Sequence, residues 1–154
     1  MNLTLSFSWA GLVIFALPMP VNIAYVLFPP AEKTEQAAVT RWVEAVEQIS
    51  RVAYLLAVTL LVSREALDLY SVWLYLAAGF LALYHLVWLR YFAGGRKTEL
   101  LRRAFLFVPL PPEVFPVLYF LCAAVWLHNP PAAIMMAVFG AAHITVSLQS
   151  FRKG

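Results

Sequence analysis

Trp42–Val62, WVEAVEQISRVAYLLAVTLLV, is the stretch on which the fold turns. Its second half, Val52 to Val62, carries no charge, whereas its first half carries Glu44, Glu47, Gln48 and Arg51. As a helix the uncharged half covers only about 16 Å, roughly half of a hydrocarbon core of about 30 Å. If the segment crosses a bilayer, its charged half crosses too, and Arg51 then sits about 13 Å inside the lipid boundary. Charge at that depth is costly and turns toward a bundle interior or a wet cavity. The stretch therefore predicts both a membrane fold and the neighbourhood of a site.

The rest of the chain agrees with a membrane protein. Of 154 residues, 63% are hydrophobic and 12% charged, against about half and a quarter in soluble domains. The length suits a single domain over 1–154. The net charge of +3 is spread over short connections between apolar runs, which argues against a nucleic-acid partner. The one cysteine, Cys122, has no partner within the chain for a disulfide. The N-terminal run MNLTLSFSWAGLVIF lacks the basic start of a secretory signal and ends in Phe28-Pro29-Pro30, so it is read as a retained first span.

The expected fold class is an all-α integral membrane protein with about five transmembrane helices. The spans run over 8–28, 42–62, 69–91, 112–127 and 130–151. Pro18 and Pro20 should kink the first, on whose face Gly11, Phe15, Pro18, Asn22 and Tyr25 recur. Glu44, Glu47, Arg51 and Tyr54 form one stripe of the second, with Glu47 and Arg51 in the favourable i, i+4 order. In the third, the spacing of Ser71, Tyr75, Ala78, Ala82 and His85 predicts a close-packing face that carries His85 inward. Trp42, Trp73 and Trp88 are expected at the membrane interfaces. An interfacial helix over 98–108 is expected before the fourth span, with Leu100, Leu101, Ala104, Phe105 and Val108 on its apolar face. In the fifth, Gly140, His143, Ser147 and Ser150 share one face, and Ala133, Ala137 and Ala141 a neighbouring close-packing face. Five spans in a short chain with five tryptophans resemble the general layout of the tryptophan-rich sensory (translocator) proteins; the resemblance is one of architecture and extends to no motif.

Charge sets the orientation. With five spans, Lys33, Arg41, Arg90, Arg96, Lys97, Arg102, Arg103, Arg152 and Lys153 fall on one side and Arg64 on the other. The positive-inside rule then places the chain in the cell membrane, N-terminus outside and C-terminus cytoplasmic. A four-span arrangement weakens this bias.

The same orientation collects the polar intramembrane residues in the cytoplasmic half: Asn22, Glu47, Arg51, His85, Glu113 and His143. This predicts a polar vestibule, open to the cytoplasm and closed outward by apolar side chains. Arg51 offers a fixed cation with forked donors for a carboxylate or phosphate, and Glu47 competes by neutralising it. His85 and His143 would add hydrogen bonds, and an apolar tail would lie against Tyr75 and Phe80. Glu113 is either a ligand group or a carboxylate at the positive end of a helix. No H-E-x-x-H spacing, nucleophile motif or phosphate loop is present, so no metal site is expected and the sequence leaves any cofactor unknown. The expected function is binding or transport of a small solute or lipid-like ligand, with homo-oligomer contacts through the small-residue faces. The alternatives are a membrane-embedded enzyme acting on an amphipathic substrate and a structural subunit of a larger complex.

Overall fold

Ser8 opens the first helix, α1 (Trp9–Ala16), by accepting the Gly11 N–H on its hydroxyl at 2.9 Å. Pro18 has no N–H to give the Ile14 carbonyl one turn back, and α1 ends at Ala16. A second helix, α2 (Met19–Leu27), follows at once, with Pro20 in its first turn where no donor is required. The Tyr119 hydroxyl donates to the Ile14 carbonyl from 2.8 Å, in place of the missing proline donor. The computed structural model describes residues 3–31 and 39–151. Lys33, Arg152 and Lys153, which enter the charge count, lie outside the described residues.

The remaining helices are α3 (Arg41–Leu60), α4 (Val72–Ala93), α5 (Thr98–Arg102), α6 (Pro111–Trp126) and α7 (Pro130–Phe151). Successive connections alternate between two ends of an all-α bundle, in which α3 packs along α7, α4 along α6, and α6 along α7. α1 leans on α3 through Gly11, where any Cβ would strike the Val58 carbonyl. Among the described residues, three stretches are long and apolar enough to cross a membrane: Trp9–Leu27, Val72–Ala93 and Pro130–Ser150. Pro111–Trp126 is apolar but shorter, and α3 is long enough at 20 residues but charged over its first half.

One end is closed by a feature the sequence does not announce. β1 (Leu3–Leu5) pairs antiparallel with β2 (Leu61–Ser63), Thr4 opposite Val62, in a ribbon that continues the ends of α1 and α3. Buried Asn129 ties this end together. Its Nδ2 donates to the Ala57 and Leu61 carbonyls, both at 2.8 Å, and its Oδ1 accepts the Ala132 N–H at 3.1 Å.

The other end is organised by Arg90, whose guanidinium donates to the carbonyls of Leu100, Arg103 and Ala104 and lies 5.2 Å from the centroid of the Phe105 ring. The helix expected over 98–108 therefore stops at Arg102. Arg103 turns extended, and Phe105 bridges back to Val108 around Leu106 and Phe107, whose φ angles of 49° and 65° are left-handed.

Two further expectations are corrected. The buried face of α4 is Ala77, Tyr84, Val87, Trp88 and Tyr91; Tyr75, Ala78 and Ala82 point outward, and His85 is turned back to the Leu81 carbonyl at 2.8 Å. Tyr84 reaches the Asn22 side chain and Trp88 packs on Tyr25, so large aromatic residues together with Ala77, and not the face of Tyr75, Ala78 and Ala82, seat this helix. Trp88 is consequently a core residue rather than an interface anchor, whereas Trp42 and Trp73 are exposed.

Candidate functional site

The apolar spacing of α3 at Val43, Glu47, Ser50, Tyr54 and Ala57–Val58 turns one stripe onto α7 and carries Glu47 into the seam with it. Glu47 is 5% exposed, and its Oε1 accepts from the Arg51 guanidinium at 2.5 Å, one turn along. His143 on α7 brings its Nδ1 to the same oxygen at 3.1 Å. Opposite a carboxylate, that ring nitrogen is the donor. Phe139, one turn before His143, stacks on the imidazole with centroids 5.0 Å apart and lies under the Arg51 guanidinium at 5.4 Å. The Arg51 side chain remains 46% exposed.

Beside this cluster lies a cavity of about 1140 Å³. Its wall runs around the bundle: Asn22 and Tyr25 of α2, Arg51 and Tyr54 of α3, Tyr84 and Trp88 of α4, Leu101 and Arg102 of α5, Glu113 and Phe120 of α6, and Met136 and His143 of α7. All of these lie between the middle of the bundle and the end where Arg90 holds the 94–110 connection. α2 and α4 meet through Tyr84, whose hydroxyl donates to Asn22 Oδ1 at 2.6 Å, and through Tyr25 against Trp88 at 5.1 Å. In α6, Pro116 has no N–H for the Pro112 carbonyl, and both prolines border the cavity.

Of the seven residues singled out in the sequence, Asn22, Arg51, Glu113 and His143 line this cavity, and Glu47 stands directly behind Arg51 and His143. Tyr75 and His85 are not among the lining residues, and Phe80 packs against Phe115 instead. Sequence reading missed Tyr84, Trp88, Phe139 and Arg102. The signal that locates the first two is the i, i+4, i+7 aromatic run Tyr84-Trp88-Tyr91. Among the described residues no group of three or more His, Cys, Asp or Glu is placed to hold a metal ion. No family model, no curated protein and no solved structure matches the chain.

Proposed function

We propose that the protein is a single-domain, five-span membrane protein, its first span kinked at Pro18, that binds or carries a small amphipathic, lipid-like ligand. The ligand enters the cavity from the cytoplasmic end and sets its polar head against Arg51 and His143. The observation that carries this reading is the joining, in one cavity of about 1140 Å³, of a fixed guanidinium with an extensive aromatic and aliphatic wall. Ligand sites are typically mostly apolar spaces of about 300–1,000 Å³ with a few placed polar groups, and this one has room for a chain as well as a head. Glu47 holds Arg51 and His143 in place, and the remaining N–H groups of Arg51 are the ones offered to a ligand head.

The test is thermal unfolding of the maltoside-solubilised protein titrated with hexadecyl phosphate. A ligand at a hundredfold excess over its Kd stabilises by about 2.7 kcal/mol, a readily measured rise in Tm. The expected result is saturable stabilisation that Arg51→Gln weakens by about tenfold in Kd, or about 1.4 kcal/mol. Absence of saturable stabilisation by any charged or zwitterionic single-chain amphiphile would contradict the reading.

A further inference from the structure

The cavity has a second polar pole, opposite in character to Arg51. Glu113 stands in the first turn of α6 and lines the cavity. Its Oε2 is buried with no hydrogen-bond partner among the described residues. Tyr84, Trp88 and Tyr25 line the same cavity. Trp88 is 7% exposed. Tyr25 packs on Trp88 at 5.1 Å, and Tyr84 meets the same ring edge-on at 6.1 Å. A carboxylate with an unused oxygen, in a cavity whose wall also carries electron-rich rings, is the chemistry that receives an ammonium, and a quaternary one in particular.

The charges of the wall point the same way. Arg51 and Arg102 are cations, and Glu113 and the adjoining Glu47 are carboxylates, so the formal charges cancel around the cavity. A purely anionic head meets Arg51 already paired with Glu47 and has Glu113 in the same cavity. A head with separated charges suits both poles at once.

We infer that the ligand is a zwitterionic, ammonium-bearing amphiphile, its anionic group at Arg51 and His143 and its ammonium at Glu113 among Tyr25, Tyr84 and Trp88. This rests on the cavity being a ligand site, as proposed above. It goes further by assigning Glu113 and the aromatic trio as the cation subsite.

Native mass spectrometry of the maltoside-solubilised protein, titrated separately with lysophosphatidylcholine and with lysophosphatidate of the same chain length, tests it. The expected result is a Kd for the choline lipid at least about tenfold lower than for lysophosphatidate. Glu113→Gln, nearly isosteric, then raises the first about tenfold and leaves the second unmoved. The wild-type preference requires no variant, so a folding defect in Glu113→Gln does not remove the test. Lysophosphatidate binding as tightly as the choline lipid, or an equal loss of both in Glu113→Gln, overturns the cation subsite while the cavity remains a ligand site. Binding of neither lipid overturns both.

Discussion

Glu47 and His143, 96 positions apart in the chain, meet at 3.1 Å across the seam of α3 and α7. The same carboxylate oxygen also holds Arg51, so a single buried group fixes a cation on its own helix and an imidazole on the neighbouring one. Replacing Glu47 by Ala should therefore cost about 1–3 kcal/mol, chiefly because the half-buried His143 ring loses its acceptor while Arg51 can turn to solvent. Removing Glu47 and Arg51 together should cost less than the sum of the single changes. Reversible unfolding in mixed micelles measures both; strictly additive losses would mean that the two groups are independent.

The break at Pro18 is covered by a side chain from another helix. Tyr119→Phe leaves the Ile14 carbonyl without its 2.8 Å donor and should destabilise by about 1–3 kcal/mol. In a Pro18→Ala background, where a backbone N–H returns to that carbonyl, the cost should fall toward zero. The same cost in both backgrounds would show that Tyr119 acts by packing alone.

Two glycines should respond in opposite ways. At Gly11 a methyl meets the Val58 carbonyl, so Gly11→Ala should cost about 1–3 kcal/mol by forcing α1 off α3. At Gly79 a Cβ meets nothing, and Gly79→Ala should be neutral or stabilising by about 0.5–1 kcal/mol through helix propensity. Tm shifts of the two variants in the same detergent are the check.

The proposed orientation places Arg64 outside the cell and Arg96 inside. Single cysteines introduced at these positions, with Cys122 replaced by Ala, should react with a membrane-impermeant maleimide in intact cells at position 64 and only after permeabilisation at position 96. Labelling of position 96 in intact cells would reverse the orientation.

The positions of the long helices were legible in the sequence, α4, α6 and α7 from apolar runs and α3 from the helical spacing of its apolar residues among charged ones. The observed ranges Arg41–Leu60, Pro111–Trp126 and Pro130–Phe151 differ by two residues or fewer from the spans read there. The Glu47–Arg51 pair and the inward face of α7 were also legible, the first from i, i+4 spacing and the second from polar residues recurring on an apolar helix. The inward face of α4 was not, and the alanine face of α7 is not close-packed within the bundle, since Ala137 and Ala141 are exposed. In lipid an outward Ala or Leu carries no penalty, so residue size alone does not say which face is buried, and the decision fell to Tyr84 and Trp88. Their partners, Asn22 and Tyr25, come from a distant segment. The ribbon of β1 and β2 escaped for a different reason: three-residue strands leave no periodicity to read. The cavity itself depends on how helices distant in the chain are spaced around it, a tertiary arrangement with no local signature.

The central claim is that an amphiphile occupies the interior cavity and not merely the lipid-facing surface. A lysophosphatidylcholine carrying a diazirine on its chain, photolysed with the protein and mapped by peptide sequencing, measures this most directly. Labels on Phe120, Met136 and Phe139, lost on adding excess unlabelled lipid and lost in Arg51→Gln, are the predicted result. Labels confined to outward residues such as Leu86, Ile134 and Val138, and indifferent to competitor, would contradict the account.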